Sequence, residues 1–202
     1  MSSLLEPAYY AFRYWSIRQL FGIPTHLTYE ERATLYRLGR RLERIGRRPI
    51  ALEIGSYLGA SSAFLASGLK QSGQDGKVIC IDTWENNAMS EGGRDTMAEF
   101  LANTRELAGW IQPIRGWSTA VVNTVREHAG EIDLLFIDGD HSYEGCLADW
   151  QAYNPLLASN AIVVMHDVGW ADGVARVINE EIRPATINEQ RLPNMWWGEL
   201  GG

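Results

Sequence analysis

The sequence predicts an α/β fold organised around a doubly wound, mainly parallel sheet. Three observations carry this. First, short runs apolar on both faces recur at PIALEIG (49–55), VICID (78–82), IDLLFID (132–138) and AIVVMHD (161–167). Second, stretches with helical periodicity separate them. Third, glycines or acidic residues collect where the runs end. A strand apolar on both faces is covered on both faces, as in parallel sheets flanked by helices. Right-handed crossovers then wind such a sheet in two directions, with ligands bound at the carboxyl ends of the strands.

In chain order, residues 8–21 read as a short aromatic helix. Thr28 opens a second, because Thr28 and Glu31 form a capping box and Leu35, Leu38, Leu42 and Ile45 recur at helical spacing. Gly46 is its expected end, with Pro49 just beyond. The strand at 49–55 follows, then a helix at 60–69, the turn GQDGK and the strand at 78–82. Residues 94–108 read as a helix with Met97, Phe100, Leu101 and Leu107 on one side. IQPIRG (111–116) is a third strand, weakened by Pro113. Helices at 118–129 and 142–153 bracket the strand at 132–138; Tyr143, Leu147 and Trp150 face one way in the latter. The strand at 161–167, a helix at 174–182 and a tail containing Trp196 and Trp197 complete the pattern. With closing strands in the tail the sheet has seven strands. The expected organisation is an N-terminal helical extension (1–48) and a ligand-binding α/β domain (49–202).

Bulk composition narrows the function. The 202 residues are 46% hydrophobic and 21% charged, ordinary for a globular protein. Eighteen basic against 25 acidic residues give a formal charge of −7, which argues against a nucleic-acid partner. The basic cluster RLGRRLERIGRR (37–48) reads as a solvated helix face. Cys80 and Cys146 have neither disulfide-framework nor metal-ligand spacing, and no signal peptide or membrane-length apolar run is evident, so the expected setting is the cytoplasm without membrane contact.

The first strand ends in EIGSYLGASS (53–62). Gly55 and Gly59 bracket a tight turn into a helix, where glycine lets the backbone approach a ligand; Ser61 and Ser62 can cap the helix or donate to that ligand. Asp82, at the end of the second strand, is placed to accept hydrogen bonds from ribose hydroxyls. Trp84 and Trp117 are candidates to cover an adenine ring. The loop lacks G-x-G-x-x-G, since Tyr57 stands where the middle glycine would make room for a pyrophosphate, and it lacks G-K-[ST]. An adenosine without a diphosphate fits better, and S-adenosylmethionine is the leading candidate.

EIGSYLGASS, CIDTW, IRGWS, FIDGDHSYEGCLADW and VVMHDV together resemble a class I S-adenosylmethionine-dependent methyltransferase. More narrowly they are similar to the group containing macrolide-sugar O-methyltransferases and cephalosporin-hydroxylase-like proteins. The resemblance covers roughly residues 49–182. It implies a Rossmann-like methyltransferase fold in which Gly55, Ser56, Gly59 and Ser61 hold the methionine part of the cofactor. Asp82 would hold the ribose, and Trp117 and Ser118 would lie near the adenine. Their neighbours Glu53, Tyr57, Ser62, Thr83 and Trp84, with Asp138, Gly139, Asp140 and His141, complete the implied cofactor-binding set.

The catalytic end is expected where adjacent strands, about 4.8 Å apart, finish in Asp138 and in the pair His166–Asp167. A divalent metal there would relieve repulsion between carboxylates and lower the pKa of a bound hydroxyl. The resemblance implies metal ligands at these strand ends, so Asp138, His166 and Asp167 are the candidate set. The family's second site is an acidic pair, whereas imidazole at position 166 suits manganese, iron, cobalt or zinc better than magnesium. Because consecutive strand residues point to opposite faces, His166 and Asp167 can share one ion only if the chain is already leaving the strand. His141, three residues after Asp138, is the candidate general base. The glycine-rich loop at 85–95 is a candidate lid.

The leading reading is methyl transfer to a hydroxyl of a small molecule, assisted by magnesium or manganese. A metal-dependent hydrolase or oxygenase would leave the glycine turn and Asp82 unexplained. A catalytically silent cofactor-binding module would not need Asp138 or His141. The aromatic N-terminal segment is a candidate to dock on its own domain or on a second subunit.

Overall fold

The structure is a computed structural model that describes residues 5–42, 47–87 and 92–201. Ile45, Gly46 and the centre of the 85–95 loop lie outside those residues.

The expected aromatic helix is in two pieces: α1 (Glu6–Arg13) and a 3₁₀ segment over Trp15–Gly22, broken at Tyr14, whose φ and ψ of −115° and 46° are not helical. This segment docks on its own domain, with Phe21 stacked edge-on to Phe64 at 4.8 Å. Phe12 and Trp15 remain exposed. Helix α2 (Tyr29–Arg41) begins as expected, with both halves of the Thr28–Glu31 capping box formed.

The α/β alternation follows: β1 (Ile50–Ile54), α3 (Ala60–Gln71), β2 (Lys77–Asp82), α4 (Met97–Thr104), β3 (Ile111–Arg115), α5 (Val122–Ala129), β4 (Ile132–Ile137), α6 (Tyr143–Tyr153), β5 (Leu157–His166), α7 (Asp172–Val177), β6 (Thr186–Arg191) and β7 (Met195–Leu200). The helices expected at 94–108, 118–129 and 174–182 are shorter than their sequence periods. Each passes into or out of a 3₁₀ or π turn. The seven strands form one sheet in the order β3-β2-β1-β4-β5-β7-β6. The first five are parallel, and β7 runs antiparallel to both its neighbours. Pro113 is tolerated because β3 is the edge strand and pairs only with β2.

Alternate residues of the central strands feed two cores. Leu134 and Phe136 join α2, α3 and α4 on one face; Leu135 and Ile137 join α5, α6 and α7 on the other. Helices α2 and α3 meet backbone to backbone: a Cβ at Gly39 would strike the Leu65 carbonyl, and one at Gly68 the Tyr36 carbonyl. The N-terminal extension is thereby fixed against the sheet's first crossover helix.

The order in which strands are added reverses between β1 and β4, which lie side by side and parallel although far apart in sequence. That is where a crevice opens above the strand tips in such sheets. Among the described residues no helix is long and apolar enough to cross a membrane.

Candidate active site

The first half of the site is built from backbone. Gly55 and Gly59 take left-handed conformations, with φ of 85° and 87°. A Cβ at Gly55 would collide with the Asp138 carbonyl oxygen, and one at Gly59 would press on Thr104 and Phe100. Tyr57 is also left-handed, with φ 45°, and its N–H donates to Asp82 Oδ2 at 2.8 Å. The other oxygen of Asp82 accepts from Trp84 N at 2.7 Å. Asp82 thus ties the glycine turn to the loop after β2, and its carboxylate sits at the strand end expected to meet a ribose.

Beneath the turn lies a buried polar group. The Ser62 hydroxyl donates to Glu53 Oε2, while Glu53 Oε1 and Ser56 Oγ have no hydrogen-bond partner. Burial pushes the Glu53 carboxyl pKa up, against the pull of Ser61, Ser62 and Ser56. Orphaned polar atoms under a left-handed glycine turn suit a ligand that brings its own donors and acceptors, and in that respect the residues fit an adenosyl amino acid.

One expectation is corrected on this side. Trp84 does not face a ligand: it is fully buried, packs on Phe100 at 4.9 Å, and its indole N–H donates to the Tyr57 carbonyl. Ser118 is engaged with Asp149, a buried residue of α6 to which its hydroxyl donates. Burial pushes the Asp149 carboxyl up to about 6. Trp117 is 69% exposed and remains available to a ring. Thr83 is half-buried beside Asp82, its hydroxyl accepting from Glu85 N.

The second half is built from charge. β5 ends at His166, and Asp167 swings off the strand with φ 60°. That turn meets the condition under which consecutive residues converge. His166 Nδ1 stands 3.1 Å from Asp138 Oδ1 and 3.3 Å from Asp167 Oδ1, while its Nε2 stands 3.6 Å from Glu31 Oε2. These are ion-pair distances; neither ring nitrogen makes a well-aligned hydrogen bond. Burial opposes charge on this imidazole, but the three carboxylates overcome it and push its pKa up to about 12. Burial pushes Asp138 up, partly offset by His166. For Asp167 the burial effect is outweighed by His141 and His166, which hold the carboxyl well below its usual range.

His141 is brought in by the start of α6. Ser142 caps that helix, accepting from Gly145 N, and Asp140 Oδ1 accepts from Ser142 N at 2.8 Å, so Asp140 shapes the turn. A Cβ at Gly139 would sit 3.1 Å from Asp149 Oδ2 and 3.2 Å from Ile54 Cγ2, a tight fit. His141 Nε2 is 2.7 Å from Asp167 Oδ2, which raises the pKa of the imidazole. Candidate ligand atoms of Asp138, His141 and Asp167 all lie within 4.8 Å of one another, a spacing that suits a metal ion. His166 stands outside that group of three and behind it.

Several contributors were not legible as site residues. Glu31 reads in the sequence only as a helix cap. Trp170, 63% exposed, packs edge-on to His141 at 4.8 Å and donates its N–H to Asp167 Oδ1 at 2.7 Å; Asn194 donates to the same oxygen at 2.9 Å. Neither has a periodicity or motif to mark it. Two open clefts, of about 590 and 580 Å³, are lined by none of the strand-tip residues.

A family profile described as "Methyltransferase domain" matches residues 52–168, which hold the glycine turn, Asp82, Asp138, His141 and His166–Asp167. The rhamnosyl O-methyltransferase of Mycobacterium bovis (strain BCG / Pasteur 1173P2) is 25% identical over 121 residues, 58% of this chain and 45% of that protein. The chain therefore spans less than half the length of that relative. Among solved structures, the O-methyltransferase NovP superposes with a TM-score of 0.71 at 12% identity, covering 88% of this chain and 82% of that one. The MycE methyltransferase from the mycinamycin biosynthetic pathway, in complex with Mg, SAH and mycinamycin VI, gives 0.59 at 14% identity, covering 97% and 54%. On the matched segment this chain belongs to the methyltransferase-domain family, and its seven-stranded sheet has the fold of those solved structures.

Proposed function

We propose that the chain methylates a hydroxyl of a small molecule, and that the strand tips of β1, β2, β4 and β5 form its active site. One observation carries the reading: the glycine turn and the acid–imidazole cluster share a rim, since the Gly55 backbone lies directly against the Asp138 carbonyl. A cofactor held at the turn would have its reactive end beside the cluster. S-adenosylmethionine, when bound, supplies an electrophilic methyl group on a sulfonium.

The protein's own residues do the rest. Asp82 and the turn fix the nucleoside and amino-acid ends, so that alignment, the main source of rate in such a displacement, is set by rigid backbone. His141 is the base. Asp167 accepts its Nε2–H, which leaves Nδ1 to take the proton of the acceptor hydroxyl, as in other oriented acid–base pairs. Trp170, exposed beside His141, offers a face to the acceptor ring, while Asp138 and Asn194 line the polar side. The names of the similar proteins, which refer to a rhamnosyl group and to mycinamycin VI, favour a ring bearing several hydroxyls.

A second reading is favoured by the 4.8 Å grouping: Asp138, His141 and Asp167 would hold a divalent cation, which would supply positive charge against the carboxylates and a lowered pKa for the acceptor hydroxyl. The two uses of His141 respond oppositely to chelation. Methyl transfer from labelled S-adenosylmethionine is to be assayed on sugars and phenols with magnesium, with manganese and with EDTA. The base reading expects turnover that survives EDTA; the metal reading expects loss and recovery on adding the ion. Absence of both calorimetric binding of S-adenosylmethionine or S-adenosylhomocysteine and any methyl transfer overturns both.

A further inference from the structure

Glu31 lies in α2, outside the segment that matches the methyltransferase family, and is 2% exposed. Its Oε2 accepts from Thr28 N at 2.7 Å and Thr28 Oγ1 at 2.8 Å, which completes the capping box. Capping accounts for the helix start. It does not account for a carboxylate aimed at the core, where the same oxygen faces His166 Nε2 at 3.6 Å.

We infer that Glu31 is a positioning residue of the active site: from behind, it holds the His166 ring so that Nδ1 stays between the carboxylates of Asp138 and Asp167. The inference rests on the proposed function. His166 is 4% exposed and has no well-aligned hydrogen bond at either nitrogen, so its orientation is set by the charges around it. Two carboxylates lie on the Nδ1 side. Phe136 packs edge-on to the ring at 6.5 Å, but without a third carboxylate on the Nε2 side no other charge among the described residues opposes a tilt of the imidazole out from between Asp138 and Asp167. Those acids would then repel each other. Glu31 itself has little freedom, because Gly39 and Gly68 let α2 and α3 lock backbone to backbone. The N-terminal extension is therefore part of the catalytic apparatus rather than an appendage to it.

The capping box supplies a clean test, because glutamine serves at its third position as well as glutamate. Glu31→Gln keeps the cap and removes the charge. Thr28→Ala removes the cap and keeps the charge. Each full-length variant is compared with the parent in melting temperature, cofactor dissociation constant, kcat, and the ring-nitrogen NMR shifts of His166 measured without cofactor. Glu31→Gln is expected to shift the His166 ring signals and lower kcat roughly tenfold to a hundredfold, with cofactor affinity unchanged. Thr28→Ala is expected to lower the melting temperature and to move kcat and those signals far less than Glu31→Gln does, because Thr28 N still donates to Glu31 Oε2. If Glu31→Gln moves only kcat, only the ring signals, or neither, the positioning role is overturned. If the parent neither binds cofactor nor transfers methyl, the proposed function fails, while the ring signals still report whether Glu31 orients His166.

Discussion

Strand β4 has one carboxylate near its start, Asp133, and another just past its end, Asp138, and the fold treats them in opposite ways. Asp133 is fully buried and closed. Arg47 donates to both its oxygens, at 2.9 and 2.5 Å, and Ile50 N donates to Oδ2 at 2.8 Å. Asp138 has a side chain 20% exposed, and its close cation, His166, lies at ion-pair distance without aligned hydrogen bonds. The difference teaches how to tell a clamp from a site. Where donors fill a carboxylate's lone pairs it ties elements together; where they are left open on a rim, it can act on something else.

Substitutions at the two ends should separate these roles. The largest effect is expected from Asp133→Ala, which takes the acceptor from Ile50 N and leaves Arg47 with only the exposed Glu131 and the Arg48 carbonyl. We expect a loss of about 3 kcal/mol in denaturant unfolding, with the turnover of the remaining folded protein unchanged. Asp138→Asn should do the reverse. Its melting temperature should hold, because burial already disfavours charge at Asp138 and relief of that burial cost and of the repulsion from Asp167 offsets the lost ion pair with His166, while kcat falls roughly a hundredfold in the methyl-transfer assay. A collapse of Asp138→Asn in thermal melts comparable to that of Asp133→Ala would erase the contrast.

The smallest effect concerns Asp149, beneath the loop after β3. Burial raises this carboxyl from 3.8 to about 6. A raised folded-state pKa contributes stability that is complete below the unfolded value and disappears as pH rises through about 6. Asparagine can accept the same Ser118 hydroxyl without ionising. Urea titrations at pH 5 and pH 7.5 should therefore show the parent losing stability between the two, and Asp149→Asn losing less, by of order 1 kcal/mol. Parallel pH profiles for the two proteins would mean that Asp149 is not buried as the structure has it.

Much of this architecture is legible locally. The capping box at Thr28–Glu31, the glycine turn at 55–59 and the acids ending β2 and β4 follow from neighbours a few residues apart, and each stands where the sequence places it. Helix ends are less legible, because terminal turns trade α for 3₁₀ or π geometry according to what they pack against. Trp84 is ambiguous in the sequence for a related reason: a tryptophan after a strand end suits both a ligand and a core, and here Phe100 claims it. His166 reads as a ligand from its place beside Asp167, yet three carboxylates surround it, one of them from a helix that carries no motif of the family.

The sequence by itself determined the order of elements, the parallel sheet and the positions of its functional tips. Backbone conformation and burial periodicity depend on residues close along the chain. Only the tertiary structure decided which charges meet: Arg47 with Asp133, Glu31 with His166, and Asp167, turned by a left-handed φ, with His141. Coulomb interaction and desolvation depend on distance through space, which composition and spacing do not encode.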